Sequence, residues 1–262
     1  MHFLARAAAA AVALAGALAA PRAARAQLVG IDFDDGTLYA ISTSDASVKK
    51  LTATDGITSA ASLELAPDGK LVCTRAGTGE LFRIDPATGK TTLAGRIDHP
   101  TFEGAIAFAP DGTMYVANGG DAGAAELLTV NLATAAWHVV GVLDGGGHDV
   151  NGLAWRSDGV LVGLDRVTNA LLVIDPRTAH TTPLAKVPAK VGGLGGMAVH
   201  GGRGYFSTAG PGASEPGASE LYAFDLFTGA TARIGKLGAP LSASGLGGLA
   251  VLPQSAPAPK SR

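Results

Sequence analysis

Eight polar residues fall at two repeated places along this 262-residue chain, and their types suggest one kind of chemistry. Asp32, Arg75, Asn118 and Asp165 follow one another at intervals of 43, 43 and 47 residues, each closing a short apolar run, and Ala209 continues the series. Glu103, His148, Asp149 and Asn151 stand just ahead of a second recurring run, as in EGAIAF and NGLAW. Carboxylates and amides are hard oxygen donors, and a hard cation such as Ca2+ takes about six to eight of them. His148 or Asp149, on the Gly-rich GGGHD stretch, would then act as a base or bind a ligand directly. The same residues suit ordinary strand-end hydrogen bonds around a wet opening, and residue types alone leave both readings open.

Glu64 stands apart. It falls on a face that elsewhere carries Ala107, Ala154, Ala198 and Ala250. A carboxylate there is partly buried, so it must be paired or have a shifted pKa. Arg75 is the partner the sequence offers, which makes Glu64 and Arg75 candidates for a ligand site or a structural ion pair. Other chemistries have little to stand on. Cys73 is the single cysteine and sits mid-strand among apolar neighbours, where an inert buried thiol is expected. His138, His180 and His200 fall on outer strands or turns with no second histidine beside them, which argues against zinc. There is no Gly-x-Ser-x-Gly elbow. Asp68, Asp85, Asp111, Asp158, Asp175 and Asp225 lie in PDG-like or IDPATG-like reversals and read as turn formers.

Any site must be positioned by the repeats. Residues 62–95 read as four short strands, SLELA, KLVCT, ELFRI and TTLAG, parted by PDG, GTG and DPATG turns. Comparable units run over 104–141, 151–187 and 195–237. The first unit, residues 28–53, lacks an opening strand, while GLGGLAV (245–251) is an opening strand with no unit behind it. Pairing the two closes a ring with no open edge. The expected fold is therefore all-β: a five-bladed β-propeller over residues 27–253, blade 1 being 28–53 plus 248–252, with a six-bladed ring as the alternative. Opening strands alternate large and small residues, for example Leu153 and Trp155 against Gly152 and Ala154. That pattern lets each bulky face press into its neighbour's thin one.

The two ends read differently. Residues 1–26 have a basic start at Arg6, an apolar run from Ala7 to Ala20 and an Ala24-Arg25-Ala26 motif, as in a secretory signal. The run is shorter than the roughly 20 residues of a membrane span. The expectation is an exported protein, periplasmic or secreted, without membrane insertion. Without Arg6, Arg22 and Arg25 the chain keeps 17 Lys and Arg against 22 acids, so nucleic acid is not an expected partner. A closed ring is expected to be a monomer. Residues 254–262, Pro- and Ala-rich, read as a disordered tail, and 210–220 as a loop.

GAIAFAPDGTMYVANGG (104–120) and VNGLAWRSDGVLVGLD (150–165) resemble the repeats of NHL-type and gluconolactonase/regucalcin-type propellers. The latter family binds a divalent cation through Glu, Asn, Asn and Asp, and Glu103, Asn118, Asn151 and Asp165 follow that order. The resemblance implies those four as metal ligands and a lactonase-like hydrolase as one function; Asp32 and Asp149, at the same mouth, stand in reserve as ligands. The leading expectation is a non-enzymatic propeller that binds a small molecule, glycan or protein at its channel mouth. The ligand-binding candidates are Asp32, Glu64, Arg75, His148 and Asp149.

Overall fold

A computed structural model of the chain describes residues 26–99, 104–118, 125–144, 147–188, 195–200, 202–208 and 219–253. Twenty strands form five four-stranded antiparallel sheets. Blade 2 runs β4 (Glu64–Leu65), β5 (Leu71–Thr74), β6 (Glu80–Ile84) and β7 (Thr91–Arg96). Blade 3 is β8 (Ala105–Phe108), β9 (Met114–Asn118), β10 (Glu126–Val130) and β11 (Trp137–Val142). Blade 4 is β12 (Val150–Trp155), β13 (Leu161–Asp165), β14 (Ala170–Ile174) and β15 (Thr181–Lys186). Blade 5 is β16 (Met197–His200), β17 (Arg203–Thr208), β18 (Glu220–Asp225) and β19 (Thr231–Lys236).

Blade 1 closes the ring. Its strands β1 (Ala26–Asp32), β2 (Leu38–Ile41) and β3 (Val48–Thr52) are joined on the inside by β20 (Leu246–Pro253). The β1–β20 register runs from Ala26 opposite Pro253 to Asp32 opposite Leu246, longer by a few residues than the expected 28–53 and 248–252. The chain is a five-bladed β-propeller.

The turns form as their residues dictate. Asp85 Oδ1 accepts from the N–H groups of Ala87 and Thr88 at 2.9 and 3.1 Å, and Asp225 Oδ1 from those of Phe227 and Thr228 at 3.0 and 2.8 Å. These bonds replace strand pairing where the chain reverses. Each third-to-fourth-strand turn ends on a residue with positive φ: Ala46, Gly89, Ala135, Ala179 or Gly229. That residue abuts the outer strand of the preceding blade. A Cβ added at Gly95 would lie 2.7 Å from the Ala135 Cβ, one at Gly141 3.2 Å from the Ala179 Cβ, and one at Gly229 2.4 Å from the Ala185 Cβ. At these three contacts one side is Gly and the other Ala, so the space between holds one methyl.

Apolar packing lies between the blades. One cluster of buried side chains fills each of the five junctions, for instance Leu127, Val150, Leu153 and Leu172 between blades 3 and 4. The large-against-small expectation for the innermost strands holds. A Cβ at Gly152 would meet the Met197 Cβ at 2.7 Å, and one at Gly248 would meet the Leu63 backbone at 2.2 Å. Among the described residues a cavity of about 10 Å³ lies at the axis, lined by Ser62, Ala105, Gly152, Gly196 and Gly248 among others. That is about the room one water needs.

Three local expectations change. The opening strand of blade 2 shrinks from SLELA to Glu64–Leu65, with an isolated bridge from Ala60 to Arg75. Glu220 belongs to β18, not to the preceding loop, because its carboxylate accepts from the Tyr222 hydroxyl at 2.6 Å and from Arg233 Nε at 2.8 Å. His200 ends an innermost strand. The sequence also gave no warning that every outer strand is bulged at one matching step, as between Leu81/Phe82 and Leu127/Leu128 of the facing strands. Bulges twist a free edge away from further pairing. The segment 1–25, most of the 210–220 loop and the 254–262 tail lie outside the described residues.

Candidate functional site

The ends of the second strands and the approaches to the first strands meet on one face, as Val150 opposite Asp165 and Leu246 opposite Asp32 show. Over this face each crossover segment enters the next blade, and in four blades the residue closing the second strand holds that segment. Asp32 Oδ2 accepts from the Ser242 N–H at 2.8 Å, and its Oδ1 from the Ser242 hydroxyl at 2.6 Å. Arg75 Nε and Nη2 donate to the carbonyls of Thr58 and Gly56 at 3.2 and 3.0 Å. Asn118 Nδ2 lies 3.3 Å from His99 Nδ1, while His99 Nε2 is 3.0 Å from Glu126 Oε2.

Asp165 is the most heavily engaged. Its buried carboxylate accepts from His148 Nδ1 at 2.9 Å, the N–H groups of Asp149, Val167 and Thr168 at 2.8, 3.2 and 3.0 Å, and the Thr168 hydroxyl. Burial pushes its pKa up, but the Thr168, Asp149 and His148 donors outweigh burial and hold it below the ordinary carboxylate value. Asp149, also buried, pairs with Arg166 Nε. The candidate residues therefore act as latches for crossover segments.

From His148 the network continues. His148 Nε2 lies 3.2 Å from the Thr181 hydroxyl, which bonds Asp144, and Asp144 Oδ1 is 2.9 Å from His180 Nδ1. His148 and His180 thus reach the same Asp144–Thr181 pair, a proximity that their sequence positions conceal. Thr181, His148 and Asp165 have the spacing of a nucleophile, a base and its orienting acid. Thr181 is only 6% exposed and its hydroxyl is also held by Asp144, so the arrangement ties a loop down rather than presenting a nucleophile.

The four residues that the family resemblance implies as cation ligands are placed unevenly. Asp165, its expected carboxylate ligand, already accepts five hydrogen bonds, and Asn118 is turned to His99. Asn151 is buried in β12 beside a register shift, and Glu103 lies outside the described residues. Among the described residues no three His, Cys, Asp or Glu side chains group as a metal site.

Glu64 does not pair with Arg75. Arg75 Nη1 binds Glu80 Oε2 at 2.6 Å and the guanidinium stands 4.7 Å over the Phe82 ring. Glu64 pairs in the sheet with Val72, three residues back from Arg75. Its Oε1 accepts from the Leu65 N–H at 3.0 Å. Some of Glu64 stays exposed, yet protein encloses it closely enough that burial pushes its pKa up to about 8. Cys73, which follows Val72 on β5, is buried and its thiol is pushed up to about 12 by burial, as expected of an inert one.

No family model matches the chain. The WD repeat-containing protein slp1 of Schizosaccharomyces pombe is 28% identical over 144 residues, which cover 54% of this chain and 28% of that protein. The chain thus spans well under a third of that relative's length. Virginiamycin B lyase from Staphylococcus aureus, a solved structure, aligns at a TM-score of 0.47 and 10% identity over 82% of this chain and 70% of that one. Both similarities leave the activity open, and it is the five closed blades themselves that place this chain among the β-propellers.

Proposed function

We propose that this chain is an exported β-propeller that binds a small molecule, glycan or protein on its crossover face and does no chemistry on it. One observation carries the reading: the polar side chains that would make a catalytic or metal centre are committed to latching the crossover segments. Segments held this way present a fixed surface on a rigid ring, which is how loops on scaffolds acquire binding roles. Export rests on the character of residues 1–26, and an intact mass beginning at Gln27 in protein recovered outside the cytoplasm is the expected result. The test of the binding reading is calorimetry with Ca2+ on wild type and Asp165→Ala, together with lactone and ester substrates supplied with divalent metals. No heat, no melting shift at millimolar Ca2+ and no turnover are expected. Turnover that disappears in Asp165→Ala would overturn the reading in favour of a hydrolase.

A further inference from the structure

The face opposite the crossover segments carries an open groove that the crossover-face reading leaves unused. It lies beneath blade 3, between the β8–β9 and β10–β11 turns, and has a volume of about 650 Å³. Small-molecule sites typically enclose about 300–1,000 Å³. Its polar lining is Asp111 and Thr113 from the first turn, Thr129 of β10, Asn131 from the second turn, His138 of β11, and Arg83 reaching in from blade 2.

The repeats show what such a place holds when the chain fills it itself. In blade 2, Lys70 Nζ binds Asp85 Oδ2 at 2.6 Å and Arg83 binds Asp68, so two ion pairs cross from the first turn to the third strand. Tyr115 faces Thr129 as Val72 faces Arg83, which puts Thr113 and Thr129 in blade 3 where Lys70 and Arg83 stand in blade 2. Asn131 takes the place of Asp85, and its Oδ1 accepts from the N–H groups of Ala133 and Thr134 as the turn requires. Asp111 takes the place of Asp68 and keeps the acid. Both cations are therefore missing while one of the two carboxylates remains. In blade 4 the same two places hold Val160 and Val173, and the turn acid Asp158 is met by Arg156 Nε at 2.9 Å. Asp68 and Asp158 thus each have an arginine, whereas among the described residues Asp111 has no ion pair.

Charge and donors point to one occupant. The Thr113 N–H, 2.9 Å from Asp111 Oδ1, holds the Asp111 carboxyl below its ordinary value, so it is ionised at neutral pH. Arg83 is neutralised by Asp68, which leaves Asp111 as the uncompensated charge of the groove. An anion would meet that carboxylate and find the arginine taken. The Thr113 and Thr129 hydroxyls add acceptors, and a guanidinium offers five donors in a planar fork. We propose that this groove is a site for a guanidinium group on an alkyl stem, with Asp111 as its counter-ion, filled from outside as blade 2 fills its own place with Arg83. The site is independent of the crossover-face reading.

The experiment is a calorimetric titration of the full chain with n-butylguanidinium, and with n-butanol as the uncharged control. The cation should bind at one site at millimolar concentration, at least tenfold more tightly than the alcohol, and more weakly as salt is added. Asp111→Asn keeps an oxygen for the Thr113 N–H, so it should fold as wild type does and yet weaken binding at least tenfold. Thr129→Arg gives blade 3 the arginine of blade 2 and should abolish binding by pairing with Asp111 from within. A capped Gly-Arg-Gly peptide identifies the source of the group. Tighter binding than butylguanidinium assigns the site to an arginine of a protein partner, and equal or weaker binding to a free guanidino compound. Binding unchanged in Asp111→Asn or in Thr129→Arg, or no binding of the cation at tens of millimolar, overturns the proposal.

Discussion

Replacing Glu64 by Gln should stabilise the protein, and by an amount that depends on pH. Burial lifts the Glu64 pKa from 4.5 to about 8, so the folded state holds this proton more tightly than the unfolded chain does. The resulting cost is absent below about pH 4.5, grows as pH rises through the window up to about 8, and is constant above it. Each pH unit within that window adds about 1.4 kcal/mol. At pH 7 the sum is roughly 3 kcal/mol, and water reaching the exposed part of Glu64 trims it to about 2–3 kcal/mol. At pH 5 it is under about 1 kcal/mol. Gln keeps an oxygen to accept the Leu65 N–H, so little else changes. For a ring of this size 1 kcal/mol moves Tm by about 2–4 °C, which puts Glu64→Gln about 4–12 °C above wild type at pH 7 and within about 4 °C at pH 5. Thermal melts of both proteins from pH 5 to pH 8 measure this directly. A difference in Tm that stays constant across that range would refute the burial argument.

The methyl shared at three of the outer junctions predicts a rescue. Gly95→Ala places a Cβ 2.7 Å from that of Ala135 and should cost about 1–3 kcal/mol in urea unfolding. Adding Ala135→Gly restores the space and suits the positive φ of that residue, so the double variant should return to within about 1 kcal/mol of wild type. Ring closure predicts a loss: a chain truncated before Gly245 gives up the buried Leu246 and Leu249, about 1.5–3 kcal/mol each, along with the pairing to β1. Against a typical stability of about 5–15 kcal/mol it should show no cooperative melt near that of the full chain.

The fold was legible because its information is local. Turn residues such as Asp85 and Asp225 act within two or three positions, and the alternation in each opening strand is read from adjacent residues. The latches were legible only by half. Matching Asp32 to Asp165 found the acceptors, but the donor to Asp32 is Ser242, 210 positions away, and its place depends on the path of a crossover segment. Glu64 and Arg75 were mismatched for a geometric reason. Neighbouring strands do not bring every pair of their residues together, and Arg75 lies beyond the end of β5, where Glu80 and the crossover carbonyls are nearer. The bulges have no distinctive residue: the extra one is aliphatic in all five outer strands, Leu51, Ala94, Val140, Leu184 and Ile234, and aliphatic residues fill regular strand positions as well.

The pairing of β1 with β20 also decides how the ring meets whatever is joined to it. Ala26 faces Pro253 at the end of the sheet away from Asp32, so both exits from the ring lie side by side on the face opposite the crossover segments. A fusion partner, an affinity tag or a surface linkage at either exit would hold the propeller the same way up, with the crossover face turned outward and unobstructed. The same attachment would crowd the face where the blade 3 groove opens. An immobilised sample would then report on one face of the molecule and mute the other, and the choice of which exit to use would make no difference.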